Sequence, residues 1–174
     1  MKIGILNGGG DCPGLNAVTH GVVGAAHKLG WQTVGVIDGL EGILKGDLMP
    51  MDPFETPSIM KLGGTVIGTA NRGPFSAKTG EGDVRQIPRE LIEQVRESMS
   101  QNGIDALVAV GGDGTLTAGL QLHEAGIPVV GVPKTIDNDL EATAMTFGFD
   151  SAVTCVVDAL DRLYLTALSH KRVM

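Results

Sequence analysis

Short apolar runs along this chain alternate with longer stretches in which apolar residues recur every three or four positions, the pattern of strands alternating with helices. Lys2 to Asn7 and Thr33 to Ile37 read as strands, and between them Leu15, Val18, Val22, Ala26 and Leu29 mark the buried stripe of a helix from Leu15 to Leu29. Asp38-Gly39 and Glu41-Gly42 read as turns, Lys45 to Met51 is short and ambiguous, and Ser58 to Leu62 suits one helical turn. Gly63 to Gly68 reads as a bend with a short extended piece, and the Gly/Pro/polar segment Arg72 to Asp83 as a mobile loop. Pro88 opens an amphipathic helix to about Gln101 with Leu91, Ile92, Val95 and Met99 on one face, and Gly103 ends it. Two further strands, Ala106 to Val110 and Val129 to Val132, flank a helix from Thr115 to Glu124, which makes a right-handed strand–helix–strand unit. A last helix, Ser151 to Leu168, is expected to be capped by Asp150 or Ser151 and to turn Val153, Val156, Val157, Leu160, Leu163 and Tyr164 inward. Arg172 to Met174 reads as the start of another strand. The pattern predicts a three-layer α/β domain with a mostly parallel sheet.

Three of the strands end in loops that carry aspartate, the first two of them glycine turns. The first opens into Gly8-Gly9-Gly10-Asp11-Cys12-Pro13-Gly14, the third into Gly111-Gly112-Asp113-Gly114-Thr115, and the fourth into Pro133-Lys134-Thr135-Ile136-Asp137-Asn138-Asp139. Glycines let backbone N–H groups approach an anion, a following helix N-terminus favours negative charge, and an aspartate inside the turn suits a magnesium ion. Asp137 and Asp139 lie two apart, on one side of an extended segment, where like charges repel unless Lys134, Thr135 or a cation offsets them. Taken alone, the stretch from Pro133 to Asp139 also reads as a polar loop capping a helix. Together they put Gly10, Asp113 and Asp137 at one edge of a parallel sheet, where open α/β folds bind ligands.

Composition narrows the function classes. A net charge of -7 argues against nonspecific binding to nucleic acid or an anionic membrane. No apolar run approaches the ~20 residues of a membrane span, and the amino end enters a strand directly, so a cytoplasmic protein is expected. Cys12 and Cys155 suggest neither a disulfide framework nor a zinc site, and His20, His27, His123 and His170 show no metal-ligand pattern. The absence of a GxGxxG opening the first helix disfavours a dinucleotide-dependent dehydrogenase. Trp31 reads as a packing residue beside the second strand.

The motif set Gly9-Gly10-Asp11-Cys12-Pro13-Gly14-Leu15-Asn16, Gly63-Gly64-Thr65, Gly111 to Thr115, Pro133 to Asp139 and Ser169-His170-Lys171-Arg172 resembles the phosphofructokinases. The turn Gly111 to Thr115 alone is shared with NAD kinases and diacylglycerol kinases. The resemblance implies a Rossmann-like doubly wound domain over residues 1–174, holding the phosphoryl donor and the catalytic base but not a second lobe that binds most of the sugar phosphate. It implies transfer of the terminal phosphoryl group of ATP to the 1-hydroxyl of fructose 6-phosphate. Asp137 would be the general base, with Asp139 and Lys134 assisting; Asp113 would hold Mg²⁺; Gly10, Arg72, Gly112, Gly114 and Thr115 would hold the donor. Thr135 and Arg172 would bind substrate, Arg172 by reaching into a neighbouring subunit of a homo-oligomer. Gly114 points to ATP, since pyrophosphate-using members carry an aspartate there, whereas Lys134 matches the pyrophosphate type. Pyrophosphate-dependent transfer and a non-catalytic nucleotide-binding fragment remain as alternatives. His20 and Gly24 stand where allosteric members carry arginines, so inhibition by an anionic effector is not expected.

Overall fold

A computed structural model of the chain describes residues 1–70, 73–75, 77, 84–141 and 143–173. In chain order the elements are β1 (Lys2–Asn7), α1 (Leu15–Lys28), β2 (Gln32–Val36), α2 (Leu40–Lys45), β3 (Leu48–Pro50) and α3 (Thr56–Ile59). They continue with α4 (Arg89–Asn102), β4 (Ala106–Gly111), α5 (Asp113–Glu124), β5 (Val129–Thr135), β6 (Phe147–Gly148) and α6 (Phe149–His170). The strands form one sheet in the order β3-β2-β1-β4-β5-β6, with β3 antiparallel to β2 and every other pair parallel. The order runs outward in both directions from β1 and β4, so the chain reverses its winding there and leaves a crevice between the two strand ends.

Winding in two directions covers both faces of the sheet. On one face Leu6, Val36, Leu107 and Ala109 pack with Leu40 and Ile43 of α2, Val95 and Met99 of α4, and Ala118 and Leu122 of α5. On the other, Ile5 and Val110 pack with Leu15, Val18 and Val23 of α1 and with Ile67. The expected three-layer arrangement is therefore present. Burying each of these larger side chains stabilises the fold by roughly 1.5–3 kcal/mol before the entropy of ordering it is subtracted.

Several local expectations change. Leu29 is exposed at the end of α1, where the chain already turns through Gly30, and Val23 takes its place in the core. The segment read as turns after Asp38 forms the short helix α2, entered through Gly39 at φ 72. The ambiguous stretch becomes the antiparallel edge strand β3. β5 runs on through Pro133, Lys134 and Thr135; Pro133 stands opposite Gly111 in the register with β4. The loop expected from Arg72 to Asp83 lies mostly outside the described residues.

The largest difference is α6. Gly148 is its N-cap and no side chain caps it, so neither Asp150 nor Ser151 does. None of its residues is buried: Val153, Val156, Val157, Leu160, Leu163 and Tyr164, expected inward, are exposed, as are Leu165 and Leu168. Their periodicity reports an apolar stripe correctly, but no other described element lies against it. Arg172 and Val173 continue past α6 without strand pairing, and Met174 lies outside the described residues. No described helix is long and apolar enough to cross a membrane.

An uncovered apolar stripe of this size favours association. Replacing Val157 and Leu160 together by Glu is expected to lower the concentration-dependent light scattering of the chain without changing its circular dichroism; equal scattering by both proteins would show the stripe to be inert. A second expectation concerns the entry to α6. Gly148 sits at φ 111, and a Cβ there would lie 2.8 Å from Cys12 Sγ and 3.0 Å from the Thr135 carbonyl oxygen. Gly148→Ala should therefore cost about 1–3 kcal/mol in urea unfolding, and an unchanged midpoint would contradict this.

Candidate active site

The crevice at the carboxyl ends of β1, β4 and β5 holds an open cleft of about 910 Å³. Its walls are Gly9, Gly10 and Asp11 after β1; Gly112, Asp113 and Gly114 at the start of α5; and Lys134 to Asp137 with Asp139, Leu140 and Glu141 at the end of β5. The two glycine loops meet backbone to backbone, with the Thr115 side chain against both. Gly8 N–H donates to Val110 O at 2.9 Å, and a Cβ on Gly111 would lie 2.8 Å from the Gly8 carbonyl oxygen. Thr115 packs its side chain against both Gly8 and Gly111.

Asp113 is in the first turn of α5 rather than in a loop before it, so its carboxylate stands at the positive end of the helix dipole. Gly112 is the N-cap and makes no side-chain cap bond, and with Asp113 and Gly114 it brings the amino end of α5 to the cleft wall. That is an anion-binding geometry.

After β5 the backbone is not the extended segment that the two-residue spacing of Asp137 and Asp139 implied. Asn138 has φ 53, a left-handed conformation that asparagine tolerates better than most residues. Thr135 organises the turn: its hydroxyl accepts from Asp137 N–H at 3.1 Å and donates to Asp139 Oδ1 at 3.0 Å. Asn138 Oδ1 accepts from Thr146 N–H at 3.1 Å, and the buried Thr146 hydroxyl reaches the Thr135 carbonyl at 3.3 Å. These bonds leave Asp137 exposed in the cleft and direct Asp139 back onto Thr135.

Lys134 is 4 % exposed and donates to the Gly10 carbonyl oxygen, tying β5 to the loop after β1. Burial pushes its ammonium below the ordinary lysine range, against the opposing pull of Cys12 and Asp11. Burial likewise raises the Cys12 thiol, the charge on Lys134 lowers it, and Asp11 raises it further. Among the described residues the lining carboxylates are Asp11, Asp113, Asp137, Asp139 and Glu141 and the lining cation is Lys134, which donates to the Gly10 carbonyl.

Of the residues singled out by sequence, the structure brings Gly10, Gly112, Asp113, Gly114, Lys134, Thr135, Asp137 and Asp139 to one cleft. Thr115 stands behind the wall, packed between the glycine loops. Arg72 lies outside the described residues. Arg172 follows the C-terminus of α6, a 22-residue helix that extends about 33 Å from its start beside the cleft. Gly9, Asp11 and Glu141 line the cleft without having been singled out, and Asn138 and Thr146 hold its loop. Asp11 was visible as the acid within the first glycine motif; the pairing of Asn138 with Thr146 left no comparable signal.

An open, mostly parallel α/β sheet with a cleft at its winding reversal defines a doubly wound, Rossmann-like domain. The comparison with known proteins is more specific. The chain belongs to the phosphofructokinase family, whose model matches residues 2–174. It is 47% identical to the ATP-dependent 6-phosphofructokinase of Corynebacterium efficiens, and 45% identical to the pyrophosphate–fructose 6-phosphate 1-phosphotransferase of Amycolatopsis methanolica. Both matches cover 100% of this chain and 48% of the relative, so the chain spans about half the length of these relatives. The crystal structure of Pichia pastoris phosphofructokinase in the T-state superposes on 93% of this chain and 18% of its own, with TM-score 0.75 and 31% identity.

The buried thiol gives a direct check of the geometry. With a chromogenic disulfide reagent at pH 8 the native chain should release one equivalent rapidly from exposed Cys155 and the second only slowly from buried Cys12. Lys134→Met removes the charge that lowers the Cys12 thiol and should slow that second phase at equal stability. Two equally fast thiols would contradict the arrangement.

Proposed function

We propose that this chain forms the phosphoryl-donor lobe of a 6-phosphofructokinase, which transfers the terminal phosphoryl group of ATP to the 1-hydroxyl of fructose 6-phosphate and yields fructose 1,6-bisphosphate in cytoplasmic glycolysis. The observation that carries this reading is the meeting of Asp113, at the N-terminus of α5, with Asp137 in one cleft walled by two glycine loops. The glycine loops offer backbone N–H groups to the donor phosphates. Asp137, exposed and held by its N–H bond to Thr135, takes the proton of the attacking hydroxyl. Asp139 keeps Thr135 oriented, and the Thr135 hydroxyl binds the transferring phosphate or the sugar.

A polyphosphate entering this cleft meets carboxylates on every side, which repel it unless a divalent cation lies between. The donor set fits magnesium: hard carboxylate oxygens, with no cluster of three His, Cys, Asp or Glu among the described residues, match an ion held by one or two carboxylates and by donor phosphates. Asp113 would hold it. The chemistry it would supply there is the offsetting of negative charge on donor phosphate oxygens.

Gly114 keeps the wall beside Asp113 free of a side chain and so favours the longer donor, ATP. The second reading, a pyrophosphate donor, is favoured by Lys134 in the same cleft and by the name of the relative from Amycolatopsis methanolica. In that reading the ammonium exchanges the Gly10 carbonyl for a phosphate oxygen. We assign most of the sugar-phosphate site to the half of the relatives' length that this chain does not span, Arg72 to the donor, and Arg172 to a sugar phosphate across a subunit contact in a homo-oligomer. The uncovered stripe of α6 then meets protein in the whole enzyme.

Calorimetric titration of the chain with Mg-ATP and with Mg-pyrophosphate separates the readings. Tighter binding of ATP, weakened roughly tenfold or more by Asp113→Ala, is expected; tighter pyrophosphate binding would reverse the donor assignment, and binding of neither would sink the donor-lobe reading for this chain. In the protein completed with the relatives' second half, Asp137→Asn should lower kcat by about 10²–10⁴ with KM little changed.

A further inference from the structure

The loop after β1 cannot hold its own shape. Gly8, Gly9 and Gly10 restrict the backbone little, Gly9 has φ 82, and Gly10 is exposed on the cleft wall. Lys134 holds the loop from the cleft side through the Gly10 carbonyl, and on the other side its support comes from the segment 63–70, which has no regular structure beyond a bridge between Gly8 and Ala70. Gly9 N–H donates to the Ala70 carbonyl at 3.0 Å, the Thr69 hydroxyl donates to the Gly9 carbonyl at 2.7 Å, and Thr65 N–H donates to Asp11 Oδ1 at 2.9 Å. The segment is irregular, so something must hold it in turn.

We propose that Asn16 is a positioning residue that fixes this loop by clamping the segment 63–70. Asn16 is 1 % exposed, in the first turn of α1, and does not line the cleft. Its side-chain amide makes two bonds to the segment: Nδ2–H donates to the Gly64 carbonyl at 2.7 Å, and Oδ1 accepts from Val66 N–H at 3.0 Å. With the bond from Asp38 N–H to the Ile67 carbonyl at 3.0 Å, this side chain supplies the pairing that a neighbouring strand would give the segment. Asparagine is suited to this because it offers a donor and an acceptor side by side without charge. Aspartate would keep the Val66 bond and set a carboxylate against the Gly64 carbonyl; alanine would leave both backbone groups without partners in a part-buried site. Asn7, fully buried, adds a bond from its Nδ2–H to the Thr65 hydroxyl, and Ile67 N–H donates to that same hydroxyl at 3.3 Å. Clamp, segment and loop form one connected set of bonds from the buried first turn of α1 to the cleft wall. The consequence for a donor rests on the functional reading above: Asn16 sets donor affinity without touching the donor.

Backbone amide exchange, read by mass spectrometry on the whole chain, tests the clamp. In Asn16→Ala, peptides covering residues 8–14 and 63–70 should exchange roughly tenfold faster, the scale of one lost buried hydrogen bond, while β4 and β5 keep wild-type rates. Val95→Ala, which opens a cavity on the opposite face of the sheet, serves as the control for general destabilisation. Should Asn16→Ala not fold, Asn16→Asp, which retains the Val66 bond, carries the same test with a smaller local effect. Acceleration spread over the whole sheet as in Val95→Ala, or none in residues 8–14, overturns the proposal. Calorimetry with Mg-ATP adds the second readout: a weaker Kd in Asn16→Ala supports donor positioning, and an unchanged Kd overturns that part. If the wild type binds no donor, the functional reading fails while the exchange pattern still decides the clamp.

Discussion

The structure depends on one close approach. Where β1 and β4 lie side by side, the chain leaves them in opposite directions, and the two loops that follow must pass with backbone against backbone. Gly8 and Gly111 make that possible, because a side chain on either would occupy the space filled by Thr115. Thr115 in turn is carried by α5, so the loop after β1, the loop after β4 and the first turns of α5 are fixed relative to one another. Asp113 inherits its position from this contact, and the wall of the cleft inherits its smoothness. The chemistry is placed by what the glycines omit.

Around that contact the polar groups form two independent ties. Lys134 joins β5 to the loop after β1 from the cleft side, through the Gly10 carbonyl. Asp11 and Thr69 join the same loop to the segment 63–70 from the other. The loop is held between them, and this is a reason for burying an ammonium group whose desolvation is costly. Its hydrogen bond and the nearby carboxylate of Asp11 offset part of that cost.

Much of this was legible in sequence, because the signals were local. The strands β1, β2 and β4 and the helices α1, α4 and α5 follow from apolar spacing and glycine stops, and the glycine–aspartate junctions follow from chain order. What escaped depended on partners distant in sequence. The stripe on α6 looks like any buried stripe, and spacing alone does not reveal whether a neighbour covers it. β5 continues through Pro133 because its loss of an N–H is tolerated at that point of the parallel pairing with β4, which a proline-based strand limit misses. Thr115 reads as a ligand-facing hydroxyl until the contact between Gly8 and Gly111 is seen. Asn16 closes the first glycine motif, and its partners Gly64 and Val66 lie some fifty residues on, where spacing gives no sign of the pairing.

The central pairing also has a temporal side. β1 is hydrogen-bonded on one edge to β2, nearby in sequence, and on the other to β4, where Ile3 stands opposite Ala106 and Asn7 opposite Val110. Closing so long a loop precedes any reward from the contact. On a ribosome adding roughly 5–20 residues per second, the amino-terminal strand waits several seconds for its inner neighbour. During that wait the apolar face that Leu6 and Val36 will share with β4 has no cover, so the middle of the finished sheet is, for the nascent chain, an open edge.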